Sequence, residues 1–344
     1  MANQLIVPIA FKRDLQRKGA SSTVLAGDVG GTKTNMALYQ VTRDSLKMLK
    51  DKRYVSRDYH SLTDIIRDFC GEDLPERICA AVAGPVLHGK SKLTNLSWQL
   101  DSEVMGEALG TSVSFINDLE ATAYGLAGLH VDELATLATG DPSAEGNIAV
   151  IAPGTGLGEG GLFWDGEKYH PFASEGGHSD FSPRSQIDIE LFQYLQKQFG
   201  HVSWERTVSG MGIKSIYHFL TEAKKEKVPD WLAERMLKED PAAVISEAAI
   251  NREDPVCSET MDLFARYLAT EAASLVLKLK ATGGLYIGGG IPPKILPLLQ
   301  HESWAKNFGN SGRMRPLLEQ VPVYVVLNDK MALLGAACYA AYNM

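Results

Sequence analysis

Apolar positions along this chain follow two rhythms, and their alternation lays out two α/β halves. In the first half, residues 23–27, 77–83 and 113–116 are apolar nearly throughout, which predicts short strands buried on both faces. Residues 35–41 predict a strand returning from the first in a hairpin, and residues 53–55 a third. Leu62, Ile65, Ile66 and Phe69 recur on one helical face behind Ser61, which suits an N-cap. A second helix over 102–109 is predicted to stop at Gly110, a C-terminal capping glycine. The strand over 113–116 delivers Asn117 and Asp118 at its C-terminal end, where open α/β sheets gather their reactive groups.

The second half repeats the plan. Residues 147–152 and 161–164 predict two strands around a glycine turn. Ser185-Gln-Ile-Asp188 reads as a capping box, opening a helix with Ile187, Leu191, Tyr194 and Leu195 on one face and Gly200 at its end. Helical spacing dominates from 210 to 279, the last helix starting near Pro255, and buried strands follow at 285–287 and 323–327. The apolar stretch 332–342 is too short for a membrane span and reads as a core helix. The recurrence of strand, glycine turn, strand and helices predicts an α/β chain with a duplicated fold and a cleft between its two domains.

Two of the turns carry chemistry. Asp28-Val-Gly-Gly-Thr-Lys33 and Gly154-Thr-Gly-Leu-Gly158 each follow an apolar run, and the first opens on an acid. Glycine permits φ > 0 and close approach of backbone N–H groups to a ligand. Successive N–H groups then form an anion cradle, and two cradles suit a polyphosphate. Either loop alone reads equally well as a tight hairpin. Two other glycine motifs are decoys. Gly84-Pro-Val-Leu-His-Gly-Lys90-Ser91 matches the phosphate-loop pattern, and residues 156–161 match the dinucleotide fingerprint. Both continue into extended-type residues, where a true phosphate loop opens a helix.

Composition narrows the class. The 344 residues suit two domains, and 45% hydrophobic with 22% charged residues is ordinary globular usage. A net charge of −8 argues against nucleic-acid binding. Cys70, Cys79, Cys257 and Cys338 have neither Cys-x-x-Cys nor metal-ligand spacing and read as buried thiols of a reducing compartment, so a cytoplasmic location is expected. Residues 1–22 carry Lys12, Arg13, Arg17 and Lys18 against Asp14 alone and are expected to form a flexible or loosely docked arm.

Polar residues stand out in apolar or glycine-rich surroundings: Asn117-Asp118, Glu175-Gly-Gly-His178, Glu205 and Asn95. Sugar hydroxyls both donate and accept, so carboxylates mixed with amide and imidazole groups suit a sugar site. Plainer roles fit too. Asp118 suits an N-cap, His178 a partner for a loop carbonyl, and Glu205 a surface ion pair with Arg206.

These residues, in this order, resemble the bacterial-type glucokinases among the actin-like sugar kinases, from about residue 23 to the C-terminus. The pieces that carry it are residues 27–32, Thr94-Asn-Leu-Ser-Trp98, Ile116-Asn-Asp118, residues 154–158, Glu175-Gly-Gly-His178 and residues 200–206. The resemblance implies a duplicated ribonuclease H-like (actin-like ATPase) fold. Residues 23–127 with 328–344 would form a small domain and residues 128–327 a large one. It implies ATP-dependent phosphorylation of glucose at O6, with Asp118 as general base. Asn117, Asp118, Glu175, His178 and Glu205 would bind the sugar. Gly27, Asp28, Val29, Gly30, Gly31 and Thr32 would hold the nucleotide, with Gly154, Thr155, Gly156, Gly288, Gly289 and Gly290, and Asp28 would lie near Mg²⁺, through water. A homodimer is expected. The zinc of the related ROK kinases and repressors is not, because no cysteine lies between Cys79 and Cys257. Neither is a DNA-binding helix-turn-helix. A broader hexose kinase, a silent sugar or nucleotide sensor on this fold, and a phosphate-loop NTPase are the alternatives.

Overall fold

The computed structural model describes residues 7–12, 22–42, 46–93, 96–225 and 227–344. Strands β1 (Ser22–Val29), β2 (Lys33–Val41) and β3 (Leu46–Val55) open the chain, followed by α1 (Leu62–Cys70) and β4 (Arg77–Val82). Next come β5 (Lys90–Lys92), β6 (Gln99–Asp101), α2 (Ser102–Leu109), β7 (Ser112–Asn117) and α3 (Asp118–Gly125). The middle holds β8 (Leu134–Ala138), β9 (Ile148–Pro153), β10 (Leu157–Trp164), β11 (Tyr169–Ser174), α4 (Gln186–Phe199), α5 (Gly210–Lys224), α6 (Asp230–Lys238), α7 (Pro241–Ile250) and α8 (Pro255–Leu279). The last elements are β12 (Gly284–Ile287), α9 (Leu296–Leu299), α10 (Glu302–Phe308), α11 (Arg315–Leu318), β13 (Val323–Val326) and α12 (Met331–Tyr342).

The contacts group the described residues into two units. Unit 1 takes Met1–Glu133, Leu162–Ala173 and Lys330–Met344, and unit 2 takes Leu134–Gly161 and Ser174–Asp329. The hairpin segment Leu162–Ala173 thus groups with unit 1, whereas the sequence division put it in the large half. Within the span expected as an arm, residues 7–12 are docked inside unit 1. Val7 and Ile9 are buried, Ala10 N–H donates to the Tyr169 carbonyl at 2.9 Å, and Phe11 stacks on Tyr124. The rest of that span lies outside the described residues.

In unit 1 the sheet order is β3-β2-β1-β4-β7, antiparallel across β3-β2-β1 and parallel across β1-β4-β7. Central strands β1 and β4 are apolar in a row because both their faces are covered. Leu25, Met36 and Ile78 pack in one cluster with Leu62, Ile65, Ile66 and Phe69 of α1, the face that the sequence spacing predicts. Ser61 caps α1 by accepting from Asp64 N–H, and Gly110 ends α2 in the left-handed region. Helix α12 packs against β1, β4 and α3. Its small residues permit close approach: a Cβ at Gly335 would overlap the Ala121 carbonyl of α3.

The six-stranded sheet has the order β11-β10-β9-β12-β13-β8, with β9-β12-β13 parallel and β8 antiparallel to β13. Its first five positions repeat the order of unit 1, so the predicted duplication is visible in the topology. The core of unit 2 gathers Leu191, Ile216, Phe264, Leu268 and Val276 of the helices with Ile151 and Leu285 of the sheet. Both decoys fail as the sequence predicts. The phosphate-loop lookalike runs into β5, and the fingerprint lookalike is the start of β10.

Candidate active site

In unit 1, the turn between β1 and β2 carries the first glycine loop. Gly30 N–H donates to the Lys33 carbonyl at 3.0 Å. Ser56 braces the turn from outside, its hydroxyl donating to the Gly30 carbonyl at 2.9 Å and its N–H to the Thr32 carbonyl at 3.0 Å. Gly27 lies inside β1, where a Cβ would stand 3.1 Å from Ala80 Cβ. Asp28 Oδ2 accepts from Asn35 Nδ2 at 3.1 Å, and Arg53 in turn fixes Asn35 at 2.9 Å. Burial raises the Asp28 carboxyl above the usual carboxylate range, against the lowering effects of Asn35 and Arg53.

Asn117 and Asp118 stand where β7 becomes α3. The cap of α3 is Asn117, not Asp118: its Oδ1 accepts from Leu119 N–H at 2.9 Å and from Glu120 N–H at 3.3 Å. Its Nδ2 donates to the Gly84 carbonyl at 3.1 Å. Asp118 is the first residue of the helix, partly exposed, with Oδ1 accepting from Leu119 N–H at 3.0 Å. A carboxylate at a helix N-terminus is steadied by backbone N–H groups and by the helix dipole.

In unit 2, the second glycine loop joins β9 to β10. Gly154 N–H donates to the Gly156 carbonyl, and Gly210 N–H, opening α5, donates to the Gly154 carbonyl, both at 2.8 Å. Glu205 sits in a 3₁₀ turn behind the loop, its Oε2 accepting from Leu157 N–H at 2.9 Å. A Cβ at Gly156 would overlap that carboxylate. His178 lies between two acids, Nδ1 at 3.7 Å from Glu175 Oε2 and Nε2 at 3.9 Å from Glu205 Oε1. Glu175 and His178 are exposed and Glu205 is largely covered. The expected surface pair of Glu205 with Arg206 is replaced by these contacts, Arg206 lying instead over the Phe199 ring.

The third turn, Gly288 to Gly290, abuts the second loop. Gly288 N–H donates to the Ile151 carbonyl at 2.8 Å, and Gly289 has φ 86° directly over the Pro153 carbonyl. Gly290 has open space before it and lines a cavity of about 530 Å³ with Gly154 and Thr155. The far walls are Met211 and Lys214 of α5 and Ala243 and Ser246 of α7. Sequence reasoning missed these walls, since helical spacing shows which face is buried but not which exposed face borders a cavity.

One premise of the sequence reading is corrected. Among the described residues no glycine of 27–31 or 154–161 has a positive φ; in these two loops glycine serves close approach, at Gly27 and Gly156, whereas Gly289 in the third turn has a positive φ. Asn95 lies outside the described residues. No group of three or more His, Cys, Asp or Glu suited to a metal ion occurs among the described residues.

Two mixed sheets that share five positions of strand order, with glycine turns between β1 and β2 and between β9 and β10, are the architecture of the glucokinase and ROK sugar kinases of the actin-like ATPase fold. The crystal structure of a glucokinase from an Antarctic psychrotroph superimposes with a TM-score of 0.79 at 31% identity, over 93% of this chain and 98% of that one. A ROK family glucokinase from Streptomyces griseus, solved with glucose and AMPPNP, matches at a TM-score of 0.61 and 21% identity over 92% and 99% of the two chains. The chain belongs to the glucokinase family: the family model for glucokinase matches residues 25–343, and the glucokinase of Nostoc punctiforme is 44% identical over 92% of this chain and 98% of its own.

Proposed function

We infer that the protein transfers the γ-phosphoryl group of ATP to O6 of glucose, with the residues above in named roles. The observation that carries this reading is Glu205. One of its oxygens is bonded to the second glycine loop and the other faces His178, so a phosphate-type turn and a sugar-type set share one carboxylate.

Glucose meets Glu175, His178 and Glu205 in unit 2 and Asn117 and Asp118 in unit 1. Carboxylates accept from its hydroxyls, while imidazole and amide both donate and accept. Adenosine takes the cavity beside Gly290, and the loops at Gly27 to Thr32 and Gly154 to Gly156 present N–H groups to the phosphates. Asp118 accepts the O6 proton as O6 bonds to the γ-phosphorus. The bond from that phosphorus to the β–γ bridging oxygen breaks, and ADP leaves with the electron pair. Phosphoryl transfer leaves little covalent chemistry to the protein, so positioning and charge stabilisation dominate.

Asp28 fits Mg²⁺ by the chemistry of its donors. Mg²⁺ keeps several waters and takes one or two carboxylates besides the substrate phosphates, and a single carboxylate steadied by Asn35 meets that demand. Bound there with ATP, the ion would neutralise charge developing on the phosphates. No helix among the described residues is long and apolar enough to cross a membrane, and a cytoplasmic homodimer is our reading of the chain's setting.

The test is Asp118→Asn, which keeps shape and hydrogen bonding but removes proton acceptance. General-base loss lowers kcat by on the order of 10²–10⁴, and glucose affinity should change far less. A variant within a few-fold of the parent overturns the assignment.

A further inference from the structure

The floor of the sugar loop is a buried acid that the reaction does not use. Glu159, on β10, is 1% exposed, and neither carboxyl oxygen has a hydrogen-bond partner among the described residues. The loop from Ser174 to His178 rests on it. Ser174 Oγ donates to the Glu159 carbonyl at 2.9 Å and accepts from Gly176 N–H at 3.2 Å. A Cβ at Gly176 would overlap the Glu159 carboxyl, and one at Gly177 would overlap the Leu157 carbonyl. The loop that carries Glu175 and His178 is therefore seated against Leu157 and Glu159 of β10, with no room for a side chain at 176 or 177.

A second buried acid stands opposite. Glu271 of α8 is fully buried; its Oε1 accepts from Lys278 Nζ at 3.0 Å, and its Oε2 has no partner among the described residues. The charged groups around Glu159 are thus Glu271 and Lys278 from α8, Arg184 beyond Glu271, and Glu175 and His178 on the loop above. Two buried acids against one half-exposed ammonium favour retention of one proton. Burial first, then Glu271, pushes the Glu159 carboxyl up to about 8, against the opposing pull of Lys278.

We propose that Glu159 is a positioning residue that sets the seat of the 174–178 loop, so that negative charge on its carboxyl raises KM for glucose while leaving phosphoryl transfer unaltered. This rests on the assignment of Glu175, His178 and Glu205 to glucose. An ionised carboxylate in that seat must gain donors, either by admitting water or by drawing the Gly176 N–H away from Ser174, and both displace Glu175 and His178. Reciprocity follows: if ionisation weakens glucose binding, glucose binding makes the enzyme take up a proton.

The experiment measures kcat and glucose KM from pH 6 to 9.5 for the parent and Glu159→Gln, with proton uptake on glucose addition in weak buffer at pH 8. The parent KM should rise with a midpoint near 8. The rise should reach about fivefold or more, the usual size of coupling between sites. Glu159→Gln, the same shape without the proton, should flatten the rise and abolish the uptake. Glu271→Gln removes the like charge and should move the midpoint to lower pH, which keeps the proposal testable if Glu159→Gln does not fold. A parent KM that stays flat, or a rise unchanged in Glu159→Gln or unmoved in Glu271→Gln, overturns the proposal. Glu175→Ala and His178→Ala serve as separate controls. If they leave glucose KM unchanged, the sugar assignment itself fails, whatever Glu159 does.

Discussion

Glu205 holds the N–H of Leu157 with one oxygen and faces His178 with the other, so its position depends on the glycine at 156. Gly156→Ala would push the carboxylate aside and break the bond to Leu157. Hydrogen bonds to charged groups contribute about 1.5–3 kcal/mol, so glucose KM should rise roughly ten- to hundredfold in steady-state kinetics. An unchanged KM would mean that Glu205 does not touch the sugar. At this scale the sequence shows residue types and spacing but not which of two local roles wins. Asp118 suited an N-cap as well as a reactive site, and the contest was decided by Asn117, whose side chain takes the N–H groups of Leu119 and Glu120. Gly27 and Gly156 make room for Ala80 and Glu205 without a positive φ: backbone spacing is a tertiary fact that residue type alone does not state. Glu159 gave no signal at all, being one acid among glycines.

Elements were legible wherever burial was two-sided. The core strands β1, β4, β9 and β12 announce themselves as unbroken apolar runs, and α1, α2 and α4 by spacing and caps. Of the strands the sequence reading misses, β5 and β6 pair only with each other, and β8 and β11 are the two edges of the six-stranded sheet. Neither is buried along its length, and β11 contains Pro171, which an edge tolerates because its N–H side needs no partner. The α5–α7 wall escaped for a related reason. Ala243 is exposed on α7 and borders the cavity beside Gly290, so Ala243→Trp should fill part of it. The expected outcome is a raised KM for ATP with glucose affinity unaltered, measured by varying each substrate in turn. Raised glucose KM with ATP unaffected would place the nucleotide elsewhere.

On the scale of the whole molecule, unit 1 is assembled from three stretches of chain, and the last of them contains α12. That helix covers one face of β1 and β4 and nests its glycine against Ala121 and Gly125 of α3. Ending the chain before Met331 would uncover that face, and hydrogen exchange should then show unit 1 losing protection while the core of unit 2 keeps it. Retained protection in β1 and β4 would show that α12 is dispensable. The duplicated sheet is readable from the repeated order of strand, turn and strand, whereas the return of the last helix to the first unit is expected only from the family resemblance, since no local pattern states which distant surface a helix covers. The discontinuity also sets a timetable. A ribosome releases this chain from its N-terminus, so the strands of unit 1 emerge first and stay half-covered while all of unit 2 is made. Only when the final helix leaves the exit tunnel can the unit carrying Asp118 close. Unit 2 is itself complete only at Asp329, so the first strands wait through nearly the whole of synthesis for the helix that covers them, and that interval is when they are most exposed to chaperones and to mispairing.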